Sequence, residues 1–106
     1  MKTALLIAAA LGLSATGALA ADAAAGRKVA ARCQACHGID GIARLPVAPN
    51  LAGESSTYIA MQLQAFKDGT RKNEMMTVVA EGLSETEIAD VAAWYESIEV
   101  TVKVPE

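Results

Sequence analysis

This 106-residue chain is poor in the side chains that usually carry chemistry. It has two cysteines, and His37 is its one histidine. A single histidine leaves no acid–base constellation, so catalysis by this chain alone is disfavoured. Rings are scarce too, with one Phe, one Trp and two Tyr. Such a chain has few large apolar groups with which to fill a core. Cations are outnumbered: nine Lys and Arg face twelve Asp and Glu, for a formal net charge of −3. Phosphate backbones attract basic surfaces, so nucleic-acid binding is disfavoured. Beyond the N-terminus no apolar run is long enough to span a bilayer. Internal repeats are lacking, and low complexity is confined to the Ala-rich start.

The first twenty residues read as an export signal. Lys2 gives a positive start, Ala4 to Leu13 an apolar core, and Ala18-Leu19-Ala20 a small-x-small cleavage site. Cutting before Ala21 leaves Ala21 to Glu106, 86 residues, as one domain. The competing reading, a retained anchor, needs a longer apolar run. Export points to the periplasm. Loss of Lys2 leaves eight basic against twelve acidic side chains, a net charge of −4. A partner with a basic docking patch suits that charge.

What is present is concentrated in Cys33-Gln34-Ala35-Cys36-His37. This is Cys-x-x-Cys-His, the attachment pattern for a c-type haem. Cysteines three residues apart on a helix share one face. Both thiols can then meet the vinyl groups on one edge of a flat macrocycle, and His37 presents a ring nitrogen to iron. A redox dithiol instead follows a strand, and here an Ala-rich helical run precedes the motif. Structural zinc needs four ligands. A disulfide across two residues is strained. A covalent haem c would also supply bulk that so short and ring-poor a domain lacks.

The expected architecture is all-α, with three main helices around that haem. Helix one runs from about Asp22, its cap, to His37. Gly26 inside it marks either a tolerated flaw or a close helix crossing. Gly38 to Glu54 is a loop rich in Gly and Pro. A second helix covers Ser56 to Asp68, capped by Ser55 or Ser56 and stopped by Gly69. Its apolar stripe is Ile59, Leu63 and Phe66, widened by Tyr58, Met61 and Ala65. Thr70 to Gly82 is read as a connector. Ser84 and Glu87 form a capping box for the last helix, with Leu83 and Ile88 as the staple. Ile88, Val91, Ala92, Tyr95 and Ile98 follow helical spacing, with Trp94 bordering that face. Val100 to Val104 alternates like a strand but has no partner strand, so an extended tail is expected.

Electron-transfer haems usually have both axial positions filled, and His with Met is common. Met61, Met75 and Met76 are the donors left after export. Met61, on an apolar helix face, reads as core filler. Met75 and Met76 point in different directions, so at most one binds, and helical spacing does not choose between them. Arg71 and Lys72 are either partners for a haem propionate or solvated loop charges. Tyr58 and Gln62 are either pocket lining or surface groups.

Nearly end to end, residues 21–106 resemble the small bacterial class I c-type cytochromes, of the type found singly or as each half of periplasmic dihaem cytochromes. The matching residues are Cys33 to Gly38, Pro49-Asn50-Leu51-Ala52-Gly53, Tyr58, Gln62-Leu63 and Phe66 to Gly69. Arg71, the Met pair, Leu83-Ser84 and Ile88 to Trp94 complete the set. The resemblance implies the cytochrome c fold and a periplasmic one-electron carrier with His/Met ligation. It places the ligand methionine seven residues before Leu83, at Met76. It implies that the Pro49 carbonyl accepts a hydrogen bond from the His37 ring. It further implies that helix one crosses the last helix with Gly26 near an aromatic, Trp94 standing where relatives often have Tyr. Expected partners are redox donors and acceptors, including a membrane-associated oxidase or reductase. A second reading makes the chain the haem subunit of a periplasmic oxidoreductase, such as a flavocytochrome sulfide dehydrogenase, with Val100 to Val104 at the interface. A third gives it a ligand-sensing haem with an open sixth site.

Overall fold

The computed structural model describes residues 1–12 and 20–106. Residues 13–19 lie outside it, and with them Leu13 and most of the cleavage signal, Ala18 and Leu19. The described residues form five helical segments: α1 (Ala23–Ala30), α2 (Gln34–His37), α3 (Ser56–Asp68), α4 (Glu74–Glu81) and α5 (Glu85–Glu96). No strand occurs among the described residues. No helix among them is long and apolar enough to cross a membrane.

Asp22 starts α1, its carboxylate accepting the Ala24 and Ala25 N–H groups at 2.9 and 3.1 Å. The first and last helices then cross at Gly26. A Cβ there would lie 1.8 Å from the Asp90 carbonyl oxygen and 3.0 Å from Trp94 Cβ. Only glycine permits that approach, so the crossing reading of Gly26 holds and the flaw reading falls. Asp90, a buried carboxylate, fastens the same joint by accepting the Asp22 N–H at 2.8 Å.

The continuous helix expected from Asp22 to His37 is broken. Arg32 and Cys33 N–H groups reach back only three residues, to the Val29 and Ala30 carbonyls at 3.0 and 2.9 Å. These tighter turns end α1 and start the single turn of α2 on a new course. No Gly or Pro signals the break.

Ser55 caps α3 by accepting the Tyr58 N–H at 3.3 Å, and Gly69 ends it. Its inward stripe is Ile59, Leu63 and Phe66, all buried. Met61, expected as core filler, is 61% exposed, so it packs no core. The hundred-degree step per residue carries it off the buried stripe.

The connector expected over Thr70 to Gly82 is also corrected, for it contains α4. Asn73 caps it, its side-chain oxygen accepting the Met75 and Met76 N–H groups at 3.0 Å each. Asn is among the strongest N-cap residues. The capping box on α5 is present as expected, with Ser84 Oγ accepting the Glu87 N–H at 3.1 Å. Leu83, Ile88, Val91, Ala92 and Tyr95 carry α5 into the core with Val29, Ala30 and the α3 stripe. Residues 99–106 form no regular element, matching the extended tail.

Candidate functional site

Removal of so few large side chains from water leaves a hollow. A cavity of about 450 Å³ is walled by residues of α2, the following loop, α3, α4 and α5. Its interior is mainly apolar, supplied by Ile59, Leu63, Phe66, Val79, Leu83 and Val91. Cys33, Cys36, His37, Pro49 and Met76 all reach it. Those are the residues the sequence singles out, and the fold gathers them from positions more than forty apart in the chain.

The two thiols are not joined to each other. Burial pushes the Cys33 thiol above its ordinary pKa, only partly opposed by Arg32. Reactive redox cysteines have lowered pKa values, and the Cys33 thiol is shifted the other way. Among the described residues no three His, Cys, Asp or Glu side chains converge as a metal cluster requires.

His37 is 7% exposed, and its Nδ1 lies 2.9 Å from the Pro49 carbonyl oxygen. A carbonyl only accepts, so Nδ1 carries the proton and donates. That commits Nδ1 and leaves Nε2 as the ring nitrogen available to a ligand in the cavity His37 lines. Pro49 sits in a segment fixed by its own backbone. Leu51 and Ala52 N–H groups donate to the Gly41 carbonyl at 2.7 and 3.1 Å, and Arg44 N–H to the Cys36 carbonyl at 2.7 Å. Asn50 adds a side-chain bond, accepting the Ala43 N–H at 2.8 Å.

The Met pair separates on burial. Met76 is half-buried and packs against the core, whereas Met75, which also touches the cavity, is 58% exposed. Tyr58 and Gln62 line the cavity too. Arg71 is the one cation among the lining residues. Its guanidinium lies over the Phe66 ring, 4.5 Å from the centroid, and donates to Gln62 Oε1 at 2.8 Å. Lys72 is exposed and outside the lining.

Sequence reasoning missed two polar bonds beneath the site. The Tyr95 hydroxyl donates to the Gly38 carbonyl at 3.0 Å, and Trp94 Nε1–H donates to the Ile39 carbonyl at 2.9 Å. Burial raises the Tyr95 phenol well above its ordinary pKa, with Cys33 adding to it, so the hydroxyl keeps its proton and donates. The available signal was the adjacency of two rings with polar tips on an otherwise apolar helix face, since buried Tyr and Trp usually find partners.

A c-type haem fits this donor set. Two free thiols and an imidazole with one nitrogen committed meet a thioether around an apolar hollow.

The cytochrome c family profile matches residues 23–99. The chain is 48% identical to cytochrome c-554(548) of Halomonas halodenitrificans over 76% of this chain and 100% of that protein. It is 42% identical to cytochrome c4 of Pseudomonas aeruginosa over 87% of this chain but 46% of that one. Against a protein of Thiomonas intermedia described as a thiosulfate dehydrogenase electron acceptor, identity is 40% over 70% of this chain and 35% of the relative. The crystal structure of reduced recombinant cytochrome c4 from Pseudomonas stutzeri superposes with a TM-score of 0.71 at 38% identity. That match covers 78% of this chain and 48% of the other. The chain thus spans about half the length of the cytochromes c4 it resembles and the full length of cytochrome c-554(548).

Proposed function

This chain belongs to the cytochrome c family, a family of electron carriers, and we propose that it is a periplasmic one-electron carrier whose iron is held by His37 and Met76. A cytochrome c domain implies covalent haem c. One observation carries the reading: both thiols, the oriented imidazole and the half-buried thioether reach one mainly apolar cavity of about 450 Å³.

When bound, the haem supplies a one-electron iron couple. The chain's own residues do the rest. Cys33 and Cys36 hold the group as thioethers, so attachment survives opening of an axial bond. Pro49 holds the His37 tautomer and its ring orientation, which keeps Nε2 pointed at the site. Met76 supplies a soft, neutral sulfur, which favours ferrous over ferric iron and raises the potential. Ile59, Leu63, Phe66 and Val91 exclude water. Arg71, stacked on Phe66 at the cavity, would offer a cation to a haem carboxylate. With His37 and Met76 both holding the iron, the group would need little rearrangement on gaining or losing an electron. With its one histidine given to the iron, the chain is read as an electron-transfer protein rather than an enzyme.

Export by the segment 1–20, with residues 21–106 as the mature domain, places the carrier in the periplasm. Its donors and acceptors are redox proteins, a dehydrogenase or a membrane-bound oxidase or reductase among them. Likeness to a thiosulfate dehydrogenase electron acceptor favours a second reading, the haem subunit of an oxidoreductase complex. Co-purification of a second chain separates the two.

The test of ligation is the near-infrared spectrum of ferric Met76→Ala and Met75→Ala holoproteins. Loss of the sulfur-to-iron band is expected in the Met76 variant alone. Loss in the Met75 variant alone overturns the assignment. Carbon monoxide binding to the reduced wild type at neutral pH would instead favour an open sixth site.

A further inference from the structure

We propose that Trp94 and Tyr95 act as a positioning clasp that sets the orientation of the His37 imidazole from the last helix, an inference that rests on the haem reading above. Three hydrogen bonds run from this dipeptide into the segment after His37. The Tyr95 hydroxyl meets the Gly38 carbonyl at 3.0 Å, and the Trp94 indole N–H meets the Ile39 carbonyl at 2.9 Å. The Tyr95 backbone carbonyl accepts the Gly53 N–H at 2.9 Å. The clasp therefore grips the two residues immediately after His37 and also a residue four beyond Pro49. Pro49 is the group that accepts the His37 Nδ1–H at 2.9 Å. Both ends of the segment that aims the imidazole are thus referred to one rigid element.

That element is well anchored. Helix α5 is locked to α1 by the Gly26 contact and by the Asp90 bond to the Asp22 N–H. Functional side chains are held most accurately when packed helices fix their supporting bonds. Packing alone does not account for the polar tips. A phenylalanine would fill the buried position of Tyr95 equally well, yet the hydroxyl is there, partnered by the carbonyl of Gly38, the residue that follows the candidate ligand His37. Trp94 repeats the device one residue earlier, half-buried, with Arg27 5.8 Å from its ring centroid.

The test uses the holoprotein with Tyr95→Phe, Trp94→Phe and both together. Ile88→Val, also buried on α5 but making no bond to this segment, controls for simple loss of stability. Three readouts are taken: melting temperature, midpoint potential, and the ferric electron paramagnetic resonance g-values, which report the orientation of the axial ligands. Both single Phe variants are expected to shift the g-values and the potential, the double variant more than either. Ile88→Val lowers the melting temperature and leaves the other two readouts unchanged. Wild-type g-values and potential in the Phe variants overturn the proposal, however much their melting falls. If Tyr95→Phe does not accumulate, Trp94→Phe, which keeps a ring at a half-buried position, decides by the same criteria. Failure of the underlying reading shows separately, as a wild-type protein that is colourless or loses its pigment to acidified acetone.

Discussion

The α1–α5 crossing and the segment from Gly38 to Glu54 reach the same rigidity by different means. The crossing is regular structure, held by close backbone approach at Gly26 and by caps at both helices. The segment has no helix or strand, yet its backbone is tied at Gly38, Ile39, Gly41 and Gly53. What differs is where the bonds go. The crossing satisfies most of its backbone within the two helices and meets its partner by shape, with the Asp22 N–H alone given to Asp90 across the joint. The segment ties part of its backbone to itself through Gly41 and borrows the rest of its partners from α5, so its shape depends in part on the crossing being in place.

Substitutions can break that dependence from either side. Gly26→Val should have the largest effect, because a Cβ 1.8 Å from a backbone oxygen forces the helices apart. A loss of about 3 kcal/mol or more is expected, enough to abolish accumulation of folded holoprotein in a domain this small. Gly41→Ala attacks the segment instead. Gly41 has a φ of +72°, and a Cβ would lie 2.4 Å from the Ala52 backbone nitrogen. Strain of about 1–3 kcal/mol is expected, with helical circular dichroism retained and haem incorporation reduced. Equal loss of helix in both variants would mean that the two regions fold as one unit.

Smaller changes sharpen the comparison. Ser84→Ala removes the α5 cap and should cost about 1 kcal/mol in denaturant unfolding, with the potential unchanged. The smallest effect concerns acid. The Ser84 N–H, joined by Arg32, holds the Glu87 carboxyl below its ordinary range. A carboxyl depressed in the folded state contributes stability above its unfolded value, and that stability is lost as pH falls through the folded value. Glu87→Gln should therefore flatten the fall in melting temperature below about pH 4.3. Asp40 in the segment, held down by the Ile42 N–H and Arg44, should respond likewise to Asp40→Asn. A steeper change from Asp40 than from Glu87 would place the weak point under acid in the segment.

Legibility followed the same division. The caps at Asp22, Ser55 and Ser84 act within one turn, so their residues announce them. Cys33, Cys36 and His37 are readable because attachment needs a fixed local spacing. Pro49 and Met76 were reached through family resemblance, since nothing near them in sequence states what they face. The turn over Ala31 to Cys33 was unreadable because no local breaker causes it. Helix α4 has a legible start at Asn73, but its eight residues lie in a short stretch bounded by Gly69 and Gly82, which reads as a connector. Met61 misled because a helix with a narrow buried stripe exposes residues that look apolar on paper. The Trp94 and Tyr95 bonds join residues 55 and 57 apart, a distance at which only a folded chain has information.

The joint at Gly26 pairs the earliest helix with the latest. A nascent polypeptide emerging N-terminus first has α1 long before it has the surface α1 must meet. Until the final helix arrives, Asp22 lacks its carboxylate partner and the residues after His37 have nothing to hang from. Closure is thus deferred until α5 has been made, so the surroundings of Cys33, Cys36 and His37 take their final shape only when that helix is in place.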